Sequence, residues 1–290
     1  MSFSLKVRRA REQDRQAVFS FTKKTWEWGD YIPSVWETWL KHGDTLVAAY
    51  DDEPIAIVHL QYNGTQSWLE GLRVSDKFRR KEIGTKLVQE SINQLTRRKK
   101  SIVRLTVDLQ NIPSLKLFSK LGFRENFRFY SLEKDTLSQT STKAVVATKQ
   151  HISEAWKFVK KSKELNLSKG LYSNWWRWWQ LTNEELEKYV KNEQCLLHFK
   201  ANQIDGLLLF QRNKSISGGE SCQICFTSGS RTAVTDMMGR LAEIQRVPPK
   251  YFFALVPQNS KNAEFLQSMN FGARWRFALM ALSLAPTQHP

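Results

Sequence analysis

The chain has 290 residues, a net charge of +16, and 41% hydrophobic and 12% aromatic residues. That apolar content excludes a globally disordered chain and suits one large domain or two ordinary ones. No apolar run is long enough to cross a bilayer and MSFSLKVRRAREQD lacks a signal-peptide core, so a soluble, cytoplasmic protein is expected.

In chain order, LKVRRA reads as a strand, followed by a helix from about Glu12 to Lys24 and an aromatic-rich helical region from Trp26 to Lys41. TLVAAY and PIAIVHLQY flank the turn DDEP and read as a hairpin. The strand SWLEGLRV runs into the basic loop DKFRRKEIGTKL, and a helix follows from about Gly84 to Arg98 with Leu87, Ile92 and Leu95 on its apolar face. Strand IVRLTV, short helix IPSLKLFSKLG and strand FRFYSL complete the pattern. Sequential strands flanked by helices predict an α+β fold with a mixed, mostly antiparallel sheet.

The chain then repeats itself. Asn111 corresponds to Asn259 and Phe123 to Phe271, both 148 residues on, and Phe127–Phe129 keeps register with Trp275–Phe277. Trp36 and Trp39 echo Trp176 and Trp179. This predicts two tandem copies of one unit, residues 1–135 and 144–290, joined by the polar linker 136–143. Four near-consecutive tryptophans in YSNWWRWWQ exceed one helical face, which suggests an interface or a pocket.

Three cysteines, Cys195, Cys222 and Cys225, suit a reducing compartment, and the lone C-x-x-C lacks the second ligand pair of a structural zinc site. Packing is the better reading, so no metal is expected. The positive charge is spread over both halves, which fits either a nucleic acid or a phosphate-bearing ligand. The basic loop favours the second. A strand ends near Val74 and a helix starts near Gly84, so free amides of the first helical turn converge where the helix dipole favours an anion. Arg79, Arg80, Lys81 and Lys86 add charge, and Gly84 allows close backbone approach.

The loop Arg79-x-x-Glu82-x-Gly84, followed by Asn111-x-x-Ser114, Phe118 and Leu121-Gly122-Phe123, resembles the GNAT N-acetyltransferases over most of residues 5–135. GDYIPSVWETWL with LEGLRV resembles, more narrowly, the histidine N-acetyltransferase-like family, whose members carry a degenerate second half. The resemblance implies acetyl-CoA as co-substrate, with the backbone from Arg80 through Lys81, Glu82, Ile83 and Gly84 to Thr85 on its pyrophosphate. Leu72 and Val74 would pair with the pantetheine arm, Asn111 would hydrogen-bond it, Ser114 would belong to the same cofactor site, and Lys116 would meet a phosphate. The Leu72 amide would polarise the acetyl carbonyl.

Acetyl transfer needs a neutral amine, and Glu70 is the candidate general base; a strand glutamate in solvent or paired with Arg73 is the alternative. Trp26, Trp28, Asp30 and Tyr31 lie where the family builds its acceptor wall, with Asp30 for an ammonium and Arg73 or Arg128 for a carboxylate. For any one of these tryptophans a core position competes. Two residues depart from the family: Glu82 replaces a glycine, which is strained if a positive φ is needed there, and Phe118 replaces the tyrosine that often protonates the leaving thiolate. The second half lacks the loop pattern and reads as a structural or pocket-closing copy. The expected function is N-acetylation of a small amine, possibly an amino acid, with no membrane partner. The alternatives are a peptide N-acetyltransferase, or an eroded acyl-CoA- or nucleic-acid-binding module.

Overall fold

The computed structural model describes residues 5–284 except 28, 140–141, 215–219 and 246. The chain opens with β1 (Leu5–Arg9), a single 3-10 turn at Glu12–Asp14, α1 (Arg15–Thr22) and α2 (Ile32–Lys41). Then come β2 (Asp44–Tyr50), β3 (Glu53–Asn63), β4 (Gln66–Val74), α3 (Ile83–Arg97), β5 (Ile102–Asp108) and α4 (Ile112–Lys120). The helical region expected from Trp26 starts only at Ile32. Trp26 and Gly29 exchange backbone hydrogen bonds of 3.1 and 3.0 Å in a tight turn with Gly29 at φ +104, a value glycine tolerates. Asp30 then accepts the Ile32 amide at 3.0 Å, and Pro33 sits in the first turn of α2, where its missing N–H costs nothing.

The chain divides into two units, and not at the expected linker. The first contains the residues up to Val107, Asn111–Glu125, and the chain from Met280 on. Its strands run in the order β1-β2-β3-β4-β5, antiparallel except for the parallel β4–β5 pair. Helices α1 and α2 cover one face through Val18, Ile32, Trp36, Trp39, Val47 and Ile57. Each such apolar side chain contributes roughly 1.5–3 kcal/mol by burial.

The second unit contains Asp108–Gln110 and Asn126–Leu279. It takes most of β6 (Arg124–Lys134), which the sequence assigns to the first half. There follow β7 (Val145–Val146), α5 (Ile152–Lys161), α6 (Lys163–Leu167), β8 (Leu171–Asn174), β9 (Arg177–Gln180), α7 (Asn183–Lys191), β10 (Cys195–Lys200), β11 (Gln203–Lys214), β12 (Glu220–Gly229), α8 (Arg231–Glu243), β13 (Tyr251–Pro257), α9 (Lys261–Ser268) and β14 (Gly272–Ser283). Strand order here is β6-β13-β12-β11-β10-β7, with β12 and β13 the parallel pair. The last residues of β14, from Met280, belong to the first unit.

The repeat survives at matched turns. Gly122 at φ +87 and Asn270 at φ +64 end α4 and α9 alike, asparagine being a non-glycine residue that enters this region readily. The tryptophan echo does not survive. Trp36 and Trp39 lie in α2, whereas Trp176 and Trp179 belong to the β8–β9 hairpin, which turns through Trp175 at φ +57. Within the second unit Trp178 packs edge-on against Phe127 and Phe129, at 5.0 and 5.2 Å, and Trp176 against Phe277 at 5.7 Å. Strand alternation in the hairpin distributes these rings over two faces. Cys195, Cys222 and Cys225 are buried and unpaired, and burial pushes the Cys222 thiol up to about 12. No metal-ligand cluster occurs among the described residues.

Candidate active site

The centre of the site is one irregularity in β4. Across β3, His59 faces Glu70 and Ile57 faces Arg73, so Gly71 and Leu72 together oppose Val58. This is a β-bulge. Gly71 makes it possible: its φ is +68, and a Cβ there would lie 2.3 Å from the Trp39 ring. Strict alternation would put Glu70 and Arg73 on opposite faces; the bulge puts both on the face covered by α2. Leu72 and Val74 go to the other face, where both approach the first turn of α3 at Gly84.

Beyond the bulge the sheet opens. β4 pairs with β5 only from Gln66–Ile102 to Trp68–Arg104, although both strands continue. The β4 backbone from Leu69 to Val74 is thus left without a β5 partner, a wedge able to take an extended amide-bearing ligand as an added strand. At its mouth stands α3. Its first helical bond runs from the Lys86 amide to the Glu82 carbonyl at 2.9 Å, and no side chain caps it. The amides of Ile83, Gly84 and Thr85 therefore have no acceptor among the described residues, which leaves this helix end open to an anion. A Cβ on Gly84 would meet only ordinary contacts of 3.5 Å with Val74 and Leu117.

The loop reaches α3 through two left-handed residues, Arg80 at φ +61 and Glu82 at φ +58. Glu82 thus takes the strained alternative, at about 1–2 kcal/mol against its glycine counterpart. Its carboxylate is exposed, 3.4 Å from Lys120. Arg79 pairs with Asp76 at 2.9 Å, and the Lys81 ammonium lies 5.3 Å from the Phe78 ring centre. Asn111 caps α4, its side-chain oxygen accepting the Ser114 amide at 3.1 Å, which leaves its NH2 as the donor. Lys116 is exposed beside it. Phe118 is different: it is buried against Phe123 at 5.3 Å and belongs to the core.

On the α2 face the expected acceptor residues assemble, in altered roles. Arg73 donates to Asp30 at 2.7 Å and to the Leu72 carbonyl at 3.0 Å, with its guanidinium carbon 4.5 Å from the Trp26 ring centre and 5.5 Å from that of Tyr31. Asp30 is fully buried with one oxygen on Arg73 and the other on the Ile32 amide, so it is not positioned to hold a substrate ammonium. Trp28 lies outside the described residues, and Arg128 is on β6 in the second unit.

Sequence reading missed Gly71, His59 and Arg104. Thr45, His59 and Glu70 form one row across β2, β3 and β4. Thr45 donates its hydroxyl proton to the Trp39 carbonyl at 2.9 Å, so its oxygen accepts from His59 Nδ1 at 3.0 Å. The buried imidazole stacks on Trp39 at 4.5 Å. Arg104 sits opposite Trp68, on the same face as Glu70, at 6% exposure. It donates to Gln66 at 2.7 Å, and no carboxylate pairs with it among the described residues; burial lowers its pKa to about 10. The available signal was a lone arginine in an otherwise apolar strand, IVRLTV.

The second unit repeats the frame and fills it. β12 also pairs with its parallel neighbour only partway, from Ser221–Tyr251 to Ile224–Ala254, and bulges at Cys225. Here Ser230 caps α8, accepting the Ala233 amide at 3.2 Å. Asn262 of α9 donates its side-chain NH2 to the Thr227 carbonyl, and Ser173 its hydroxyl to that of Cys225 at 3.1 Å. A cavity of about 340 Å³ lies at the end of β12, lined by Lys161, Lys163, Lys261, Glu164 and Asp205 among others.

Comparison with known proteins agrees with this frame. The acetyltransferase (GNAT) family pattern matches residues 13–123. No match is found among curated protein sequences. Among solved structures, the chain is similar to a GCN5-related N-acetyltransferase from Sphaerobacter thermophilus (TM-score 0.67, 14% identity, 97% of this chain and 96% of that one). It is also similar to a tandem GNAT protein from the clavulanic acid biosynthesis pathway (TM-score 0.61, 8% identity, covering 98% and 100%). A GCN5-related N-acetyltransferase from Kribbella flavida gives a TM-score of 0.53 at 11% identity, covering 98% and 72%. At these identities the structures bear on fold alone, and they do not bear on the narrower histidine N-acetyltransferase likeness. Strand wedge, open helix end and family pattern coincide in the first half, where residues 13–123 match the acetyltransferase (GNAT) family, whose members use acetyl-CoA as co-substrate.

Proposed function

We propose that the chain transfers acetyl from acetyl-CoA to the primary amine of a small molecule, using the first unit alone. The observation that carries this reading is the Gly71 bulge, which gathers Glu70 and Arg73 on the α2 face beside the open β4 edge. In this reading the amides of Ile83, Gly84 and Thr85, helped by Arg80 and Lys116, hold the pyrophosphate. The backbone of Leu72 and Val74 pairs with the pantetheine amides, and the Asn111 NH2 supplements them. The Leu72 amide stabilises charge developing on the acetyl oxygen. Glu70 takes the ammonium proton, directly or through one water, and so frees the amine lone pair. Nitrogen then attacks the acetyl carbon, the carbon–sulfur bond breaks, the thiolate leaves with CoA, and the second nitrogen proton passes to water.

Phe118 has no role in proton transfer; a CoA thiolate leaves readily and water protonates it. Asp30 and the rings of Trp26 and Tyr31 hold Arg73 in place rather than binding the amine. The reading is tested by isothermal titration with acetyl-CoA and by thiol release with a panel of amines. Absence of binding at millimolar acetyl-CoA would end it. Peptide acceptors are the second outcome of the same panel, recognised by faster turnover than any free amine.

A further inference from the structure

We propose that Arg104 anchors a carboxylate on the acceptor, which narrows the substrate class to amino acids and other carboxylate-bearing amines. This deepens the acetyl-transfer reading and rests on it. A guanidinium at 6% exposure has lost most of its hydration, and such a charge is ordinarily paired or engaged in a full set of hydrogen bonds. Arg104 has neither. Among the described residues its one side-chain partner is the neutral Gln66, and its Nε has no acceptor. Two residues along β5, on the same face, the Thr106 hydroxyl is also buried without a partner. Two adjacent orphaned groups on one face mark a place where an anion with two oxygens would complete the hydrogen bonding.

The position suits the chemistry. The Trp68–Arg104 pair is the last before β4 and β5 part, so Arg104 stands at the closed end of the wedge. Glu70 lies two residues beyond Trp68 on the same face. From strand rise and spacing, the Glu70 and Arg104 Cα atoms are about 8 Å apart. Two long side chains across that span can hold the two ends of an α-amino acid, its ammonium at the carboxylate and its carboxylate at the guanidinium. Arg73 is the poorer candidate, since Asp30 already neutralises it at 2.7 Å.

The variant that tests this is Arg104→Met, which keeps chain length and apolar bulk. Thiol release from acetyl-CoA is measured with the twenty L-amino acids and with their carboxamides, on wild type and R104M, alongside thermal melting of both. The wild type is expected to prefer acids over amides by about 100-fold in kcat/KM, and R104M to lose that preference while keeping its amide rate. R104M is also expected to melt several degrees higher, because an uncompensated buried charge is gone. Equal use of acids and amides by the wild type overturns the proposal. So does an R104M that melts below wild type, the result of a purely structural arginine, whatever the turnover assay returns. Failure of acetyl-CoA to bind wild type would instead remove the underlying reading, and this proposal with it.

Discussion

Helices α3 and α8 stand at the same place in the two units, each following a strand whose parallel neighbour splays away. One leaves its first-turn amides open behind a left-handed Glu82; the other satisfies an amide with the Ser230 hydroxyl. The strands before them differ in the same sense. Carbonyls of β12 accept from Asn262 and Ser173, whereas β4 beyond Trp68 lacks a ladder partner on its β5 side. The fold therefore does not by itself make a ligand site. A site exists where local side chains leave backbone groups unsatisfied, and it closes when a serine and an asparagine take their place.

Four experiments would break or sharpen that contrast. The largest effect is expected for Gly71→Ala, where a positive φ and the Trp39 ring act together. It should lower stability by about 3 kcal/mol or more in denaturant unfolding and abolish thiol release. Cys225→Ala at the second bulge, which needs no positive φ, should keep activity.

Next is Glu70→Gln, expected to slow turnover by about 100-fold or more while acetyl-CoA affinity stays near wild type. Unchanged turnover would remove Glu70 from the mechanism. Third, Arg80→Glu should weaken acetyl-CoA about 10-fold or more, and titration of the wild type should give one molecule per chain. Two molecules per chain would mean that the cavity with Lys161, Lys163 and Lys261 is a second site, and the contrast would fall.

The smallest effects are on caps. Ser230→Ala should cost about 1 kcal/mol, while Glu82→Gly should add about 1–2 kcal/mol and leave acetyl-CoA affinity near wild type. Both are read from unfolding midpoints.

The sequence carried the basic loop, the order of elements and the α+β class, because hydrophobic period and glycine placement are local signals. It also placed Glu70, Leu72 and Val74 on the one strand that leads into that loop. What it hid were consequences of register and contact. EGLRV reads as simple alternation, and only the Trp39 ring against Gly71 reveals why the strand bulges. Asp30 suits an ammonium by sequence, but Arg73 of β4 already occupies it at 2.7 Å. His59 and Arg104 become visible once strands 14 or more residues apart lie side by side. The WWRWWQ segment misled because a spacing of three suits a helix, while its neighbours formed a hairpin.

The division of β14 between the units constrains how the protein can be made. The first unit includes residues from Met280 on, so it cannot be complete until the chain has been made past the whole of the second unit. The second unit in turn borrows β6 from ahead of the presumed linker. A gene cut at that linker would separate the first unit from the end of β14 and the second unit from most of β6. Each unit therefore includes chain from the far side of that linker.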